Sequence, residues 1–226
     1  MTPVTPRDAL FHALERRPPT GHVPHFELAF FLTMEAFGRL HPSQRRFDQW
    51  LQMSESERDL HRRDQADLFV QTLRRFDLCG TIFTEPGEWT DHDLCASLDH
   101  ARRLDQEEHA ICLHGDATYN VPDGEHMMEF VMNLADRPRE MKDRAQQKVD
   151  DALHRAGQMK AWGTVDIFVL CADYCFNQGP FLSPAMFDEF VTPFLAQLIC
   201  GYKELGFYVI KHTDGNIMPI LDALLE

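Results

Sequence analysis

Histidine and carboxylate side chains lie at the ends of several short apolar runs in this sequence. His212 and Asp214 follow one such run with a single residue between them, so on an extended strand both side chains would leave the same face. An imidazole nitrogen and a carboxylate oxygen suit Zn²⁺ or a harder divalent ion. A hydrogen-bonded pair without a metal fits the same spacing. The spacing therefore predicts either a metal chelate or a His–Asp pair.

Four earlier apolar runs also have acidic, histidine or tyrosine side chains near their ends. The five candidate strands are residues 23–31, 79–85, 109–116, 166–174 and 207–215. Near their ends lie Glu27, Glu85, His114 with Asp116, Asp173 with Tyr174, and His212 with Asp214. Any single acid could instead cap the helix that follows it. Five together favour a shared site, because the carboxyl ends of parallel barrel strands converge on one cavity.

These side chains receive predicted roles on that basis. The predicted catalytic residues are Glu27, Asp173, His212 and Asp214, and the predicted metal ligands are His212 and Asp214. The predicted substrate-binding residues are Glu85, His114, Asp116 and Tyr174. The alternative for His114 is a satisfied residue of the core. Cys171 and Cys175 are interpreted as small core residues rather than as reactive thiols.

Amphipathic stretches that predict helices separate the apolar runs. They cover about residues 6–17, 64–75, 91–107, 125–134, 138–160 and 183–205. The alternation of short strands and longer helices is typical of βαβ units, and continuous runs such as IFVLCA indicate strands buried on both faces. An irregular strand within residues 32–62 could add one more. We therefore predict an α/β protein, an incomplete (β/α)8 TIM barrel of parallel strands with an N-terminal helical preamble, in a single domain over residues 1–226.

Composition and charge limit the partners of the chain. The 226 residues carry a formal net charge of -14, which repels phosphate backbones and anionic lipid heads. Nucleic acid and membrane are therefore not expected as partners. The six cysteines form no CxxC pair, and no apolar stretch approaches the roughly 20 residues of a transmembrane helix. We expect a cytoplasmic protein with reduced thiols that acts on a small-molecule substrate.

Three segments carry a resemblance to a known superfamily. They are TPRDALFHALERRPPTGHVPHFEL, CADYCFNQGPFLSPAMFDEFVTPF and GFYVIKHTDGNIMPILDALLE. The chain resembles the uroporphyrinogen decarboxylase superfamily, most specifically in the SP-x-x-F-x-x-F-x-x-P pattern of residues 183–193. The superfamily includes the decarboxylase of haem synthesis and methyltransferases that serve corrinoid proteins. The resemblance implies a (β/α)8 barrel of which this chain lacks roughly the last three βα units.

The decarboxylase branch places arginines after the first strand, in a pattern resembling R-Q-A-G-R, where they bind a polycarboxylate porphyrinogen. The matching stretch here holds Glu27 and apolar residues, and only Arg39 lies farther on. Carboxylates on a ligand need basic partners when they are buried. A pocket ringed by acidic side chains has the wrong charge for such a substrate.

The methyltransferase branch uses an H-x-C motif and a further cysteine to hold zinc, which activates a thiol acceptor. His212 fits the first position of that motif, and Asp214 stands where the cysteine would be. A carboxylate in place of a thiolate leaves the metal more Lewis-acidic. The leading hypothesis is a methyltransferase-like enzyme of a corrinoid-dependent demethylation system, with Zn²⁺ or another divalent metal and a corrinoid carried by a partner protein. The alternatives are uroporphyrinogen decarboxylation in porphyrin synthesis and an inactive truncated barrel that serves as a binding module.

Overall fold

The computed structural model of the chain describes residues 4–18, 21–45 and 48–225. The strands are β1 (Phe26–Glu27), β2 (Gly80–Ile82), β3 (Ala110–His114), β4 (Ile167–Leu170), β5 (Cys175–Phe176), β6 (Gly179–Pro180) and β7 (Tyr208–Lys211). The helices are α1 (Pro6–Leu14), α2 (Thr33–Phe37), α3 (Glu55–Arg75), α4 (Asp91–Asp105), α5 (Met127–Asp136), α6 (Pro138–Trp162), α7 (Pro184–Phe190), α8 (Thr192–Glu204) and α9 (Leu221–Leu225). Short 3₁₀ turns cover Pro42–Gln44, Trp50–Gln52 and Met218–Ile220.

Five of the strands form one sheet in the order β1-β2-β3-β4-β7. β1 and β2 are parallel, as are β2 and β3, with Phe26 opposite Gly80 and Gly80 opposite Ala110. β5 and β6 pair separately as an antiparallel hairpin that the sequence analysis did not predict. Strands that follow chain order in a parallel sheet confirm the predicted α/β class and agree with part of a (β/α)8 barrel.

Every predicted strand exists, but each is shorter than its apolar run. The first strand was predicted over residues 23–31 and covers only the two residues of β1. The fifth was predicted to reach residue 215 and ends at Lys211. His212 and Asp214 therefore lie in a loop, and the prediction that a strand presents them on one face was wrong. In the described part of residues 32–62, helices and turns take the place of the suggested irregular strand.

The helix predicted over residues 183–205 is in fact two helices. Ser183 caps α7, where its side chain accepts a hydrogen bond from the Met186 amide. The chain bends at Val191, and Pro193 lies in the first turn of α8, where its missing N–H costs nothing. Phe187 is buried in this corner. The motif that carried the superfamily resemblance thus forms the capped start of α7 and the proline-containing first turn of α8.

Helix α3 begins nine residues earlier than the predicted residue 64. Ser54 and Glu57 form a capping box, in which the Ser54 side chain accepts from the Glu57 amide and the Glu57 carboxylate accepts from the Ser54 amide. The residues that follow are almost all polar, which concealed the helix from an analysis of apolar periodicity. No helix in the described ranges has both the length and the apolar character required to span a bilayer.

The contacts divide the chain into two compact units. The first runs up to Leu113 and includes Trp162–Ile167. The second consists of His114–Ala161 and the chain from Phe168 onward. The single domain over residues 1–226 stays a prediction.

Asp166, immediately before β4, is the centre of a buried ion network in the first unit. Its Oδ1 accepts hydrogen bonds from Arg7 Nε at 3.2 Å and Nη2 at 2.5 Å, and its Oδ2 accepts from the Ile111 amide at 2.9 Å. Arg102 also pairs with Oδ2 and donates to the carbonyl oxygen of Thr164. The network attaches α1 and α4 to the start of a central strand.

Replacing Asp166 by asparagine is expected to lower the free energy of unfolding by about 3 kcal/mol or more, because Arg7 and Arg102 lose their shared counter-ion in a poorly hydrated place. Equilibrium urea denaturation measures this loss. The matched control is Glu107→Gln, which removes the other partner of Arg7, a carboxylate whose side chain is 71% exposed. Exposed pairs contribute about 0–1 kcal/mol. Equal losses of stability in the two variants would contradict the central role of Asp166.

Candidate metal centre beyond two strand ends

Asp173, His212 and Asp214 come together in the second unit, beyond the ends of β4 and β7. Each offers one ligand atom, and the three atoms all lie within 4.8 Å of one another. His212 Nε2 is 3.7 Å from Asp214 Oδ1. The Asp214 amide donates to Asp173 Oδ1 at 2.9 Å, which orients the Asp173 carboxylate. The loops thus bring Asp173 next to His212 and Asp214, the pair that the sequence analysis predicted as metal ligands.

The donor set fits a divalent ion. Ligand atoms held about 2.1 Å from a tetrahedral ion are about 3.4 Å apart, close to the separation between His212 and Asp214. One neutral imidazole and two carboxylates balance a charge of +2. The His212 side chain is 35% exposed and that of Asp214 78%, so an ion and a substrate can approach from solvent. Three protein ligands also leave a coordination position for a substrate, as catalytic zinc sites do.

Backbone pairing and one glycine determine the path of the 212–216 loop. The His212 amide donates to the carbonyl oxygen of Leu170 at 2.8 Å and continues the pairing of β7 with β4. Thr213 Oγ1 accepts from the Tyr174 amide at 3.1 Å. Gly215 has a φ of +89°, and a Cβ there would lie 2.5 Å from the Cys175 carbonyl oxygen. A larger residue at position 215 would push the loop away from the segment that carries Asp173.

Asp116 and Lys211 form a largely buried ion pair in the same unit, with Nζ 3.2 Å from Oδ2 and side chains 12% and 18% exposed. Asp116 also accepts hydrogen bonds from the Ala172 amide at 2.8 Å and from the amide and hydroxyl of Thr118. Lys211 donates to the carbonyl oxygens of Ala172 and His212, each at 2.8 Å. Both charged groups therefore bond to backbone that leads directly into the cluster of Asp173, His212 and Asp214.

The pKa values of Asp116 and Lys211 are both lowered, but for different reasons. Burial alone would raise the pKa of Asp116, but the charge of Lys211 and the hydrogen bonds from Thr118 and Ala172 outweigh it and hold this pKa below its ordinary value. Burial lowers the pKa of Lys211, and the attraction of Asp116 opposes that shift only in part. At neutral pH the carboxylate is firmly ionised.

Tyr174 is fully buried next to this ion pair. Its hydroxyl lies 2.7 Å from Thr118 Oγ1, and burial raises the pKa of the phenol, so the ring stays neutral. Lys211 Nζ lies 4.2 Å from the ring centroid, and Phe187 packs against the ring edge-on at 5.0 Å. The hydroxyl is thus engaged with the protein, and its predicted role in binding substrate stays a prediction.

The other predicted site residues are dispersed along the chain. Glu27 lies half-buried on β1, and Glu85 lies half-buried after β2, both in the first unit. His114 ends β3 as an exposed residue of the second unit, and partial burial of its imidazole lowers its pKa. Cys171 is half-buried and Cys175 buried, and burial raises the pKa of both thiols, in agreement with their interpretation as core residues.

Lys211 and Thr118 were missed by the sequence analysis, although both support the candidate site. Lys211 carried a usable signal, since it is the one charged residue within the apolar run FYVIK. A second group of possible metal ligands, Asp105, Glu108 and His109, was also missed and lies between α4 and β3 in the first unit.

The fold is similar to that of a methyltransferase from Methanosarcina mazei, with a TM-score of 0.71. The match covers 99% of this chain and 74% of the methyltransferase, at 12% sequence identity. At that identity the similarity concerns the fold alone, so the chain has a methyltransferase-like fold. No protein-family model and no curated protein matches the sequence.

Replacing Lys211 by methionine is expected to raise the pKa of Asp116, because the largest favourable charge beside the carboxylate is lost. The chemical shift of the Asp116 carboxyl carbon as a function of pH measures this pKa. Stability from ionised Asp116 is present above the unfolded pKa of about 3.9 and is lost as the pH falls through the lowered native pKa. In the variant, the loss still begins near the unfolded pKa, but it is smaller and is complete at a higher pH, because the native pKa lies closer to the unfolded one.

Lys148→Met is the matched control for this titration. Lys148 belongs to the same unit and donates to the Thr118 carbonyl oxygen at 3.3 Å, but it makes no hydrogen bond to Asp116. Its removal is expected to change the pKa of Asp116 less. An equal rise in both variants would show that a diffuse field, rather than the Lys211 contact, sets the ionisation of Asp116.

Proposed function

We propose that this chain is a methyltransferase of the uroporphyrinogen decarboxylase superfamily type that binds a divalent metal ion through Asp173, His212 and Asp214. The observation that carries the proposal is the convergence of one imidazole and two carboxylates within 4.8 Å. The methyltransferase-like fold supports the reaction class, and the motif at residues 183–193 supports the superfamily. Zn²⁺ is the ion that the donor set and its spacing suit best.

The ligand types favour an oxygen-bound methyl group as the substrate. Two carboxylates and an imidazole form a harder donor set than one that includes thiolates, so a bound ion would act as a Lewis acid on an ether or alcohol oxygen. Asp173 is held in orientation by the Asp214 amide. The exposed Asp214 side chain borders the open side of the site, where the substrate and a partner protein can approach.

The proposed methyl acceptor is a corrinoid carried by a partner protein. In this reaction the electron pair of Co(I) forms the new cobalt–carbon bond to the methyl group. The electron pair of the broken carbon–oxygen bond stays on oxygen, which takes a proton from solvent. The chain contributes the proposed metal ligands, two of which have exposed or partly exposed side chains, and no external oxidant or reductant is consumed in the transfer.

A polycarboxylate substrate has less support. Arg39, the arginine that the sequence analysis found after the first strand, pairs with Asp67 at 2.8 Å and with Asp64 at 2.7 Å. The guanidinium of Arg39 is therefore already in ion pairs with two carboxylates of α3. Because buried substrate carboxylates need free basic partners, the decarboxylase alternative gains no support from this arginine.

Zn²⁺ binding is expected to depend on the three proposed ligands. Calorimetric titration of the purified protein should give one tight site, and His212→Ala or Asp173→Asn should weaken binding by at least about tenfold. His126→Ala is the matched control, because the exposed His126 Nδ1 lies 2.6 Å from Asp123 Oδ1 outside the cluster. Unchanged affinity in His212→Ala, or equal losses in His212→Ala and His126→Ala, would refute the metal centre.

Methyl transfer is tested with the zinc-loaded protein, an aryl methyl ether and free cob(I)alamin in place of the partner protein. The spectrum of methylcobalamin should develop faster than in the absence of protein, and His212→Ala should slow it by at least about tenfold. The His126→Ala control should retain the wild-type rate. Zinc binding without any acceleration of methyl transfer would favour the binding-module alternative over the enzyme.

A further inference from the structure

A pocket in the second unit is lined by residues of α5, of α6 and of the segment after β3. Its cavity volume is about 250 Å³, and it opens to solvent. A cavity of about 150 Å³ is enough to hold benzene, so this pocket has room for a ring with one substituent. All its lining residues belong to the second unit, and none belongs to the cluster of Asp173, His212 and Asp214.

Aromatic and thioether side chains supply the apolar part of the lining. Tyr119 and Phe130 meet edge to face with ring centroids 5.2 Å apart, and both are half-buried. The Tyr119 hydroxyl donates to the Met141 carbonyl oxygen at 2.7 Å, which fixes the tyrosine against α6. Met141 is buried and also lines the pocket. Because its hydroxyl proton is engaged, Tyr119 offers a ligand mainly its ring.

Arg144 and Lys148 supply the positive charge of the lining. They lie four residues apart on α6, a spacing that places two side chains on one helix face with Cβ atoms about 5–6 Å apart. Lys148 Nζ lies 5.1 Å from the Tyr119 ring centroid and donates to the Thr118 carbonyl oxygen at 3.3 Å. Among the described residues, no carboxylate forms an ion pair with either cation.

The protein compensates the charge of Lys148 only in part. Partial burial lowers the pKa of its ammonium, and the charge of Asp116, which opposes this shift, is already paired with Lys211. The ammonium has three N–H donors, of which the carbonyl oxygen takes one. Among the residues that line the pocket, Glu129 alone is acidic, so two cations outnumber one carboxylate. The pocket is thus a positive place in a chain whose formal net charge is -14.

We propose that this pocket binds a small carboxylate anion with an aromatic ring, for which benzoate is the simplest form. The Arg144 guanidinium donates two parallel hydrogen bonds to the carboxylate, and the Lys148 ammonium donates a third. The ring of the ligand packs on Phe130 and on the Met141 thioether. A carboxylate alone would leave this apolar surface unused, and an uncharged ring would leave both cations without an anionic partner. The proposal does not depend on the metal centre or on methyl transfer.

Benzoate, benzamide and acetate are the probes that test the pocket. Benzamide keeps the shape of benzoate without its charge, and acetate keeps the charge without the ring. Benzoate is expected to give saturable shifts of the Met141 methyl resonance, which reports on the lining. Benzamide and acetate should each bind at least about tenfold more weakly, because one loses the charge-assisted hydrogen bonds and the other the ring contacts. No saturable shift with benzoate, or equal affinity for benzoate and either analogue, would overturn the proposal.

Variants of α6 separate a direct contact from the general field of the helix. Lys148→Met and Arg144→Met should each weaken benzoate binding about tenfold. Lys142→Met is the matched control, because it removes the same charge from the same helix, but Lys142 pairs with Glu189 at 2.6 Å and does not line the pocket. Its affinity for benzoate should stay close to that of the wild type. Equal losses in Lys148→Met and Lys142→Met would contradict a direct contact with the ligand.

Glu129→Gln should produce a gain of binding, which a folding defect would not mimic. Removal of the acidic side chain of the lining is expected to strengthen benzoate binding about two- to fivefold, the size of a weak exposed charge interaction. Benzamide binding should not change, because the neutral amide is not repelled by the carboxylate. Benzoate affinity that stays the same or falls in this variant would show that the anion binds elsewhere and would overturn the proposal.

Discussion

The ion pair between Asp116 and Lys211, both in the second unit, lies next to the carboxyl ends of β3, β4 and β7. Asp116 follows β3, Lys211 ends β7, and both bond the backbone of Ala172 just beyond β4. Asp173 is the next residue after Ala172, and His212 is the next after Lys211, so the ion pair positions the backbone immediately before two of the proposed metal ligands. Desolvating two charges costs free energy that their attraction only partly offsets. The value of the pair therefore lies in the geometry that it imposes.

The motif at residues 183–193, which carries the resemblance to the superfamily, supports the same strand ends through packing. Ser183 begins α7, Phe187 lies on its buried side, and the ring of Phe187 supports Tyr174. Tyr174 in turn offers its face to Lys211 and its hydroxyl to Thr118, a partner of Asp116. These contacts of the motif support the strand ends, which is a role in the fold rather than in a reaction. For this reason the motif did not choose between decarboxylation and methyl transfer.

The sequence predicted the existence and order of the strands because buried parallel strands leave continuous apolar runs. It did not predict their lengths, since a strand ends where regular pairing with its neighbour ends; β7 ends at Lys211, and a last bond from the His212 amide to the Leu170 carbonyl oxygen closes the ladder. It named Asp173, His212 and Asp214 as strand-end residues, but their convergence depends on the turn at Gly215 and on contacts between distant segments. The sequence analysis did not single out Lys211, and only the folded chain pairs it with Asp116.

The two groups of possible metal ligands differ in how fully their polar atoms are engaged. In the first unit, Asp105 Oδ1 lies 2.6 Å from His109 Nδ1, and Oδ2 accepts from the His109 amide at 2.8 Å. Both oxygens of that buried carboxylate already serve to close a loop. In the second unit, the 3.7 Å between His212 and Asp214 exceeds hydrogen-bond length and approaches the spacing across a tetrahedral ion. Of the two alternatives that the H-x-D spacing left open, the proposed metal centre rests on the chelate, whereas a His–Asp hydrogen bond would require the two side chains to move closer together.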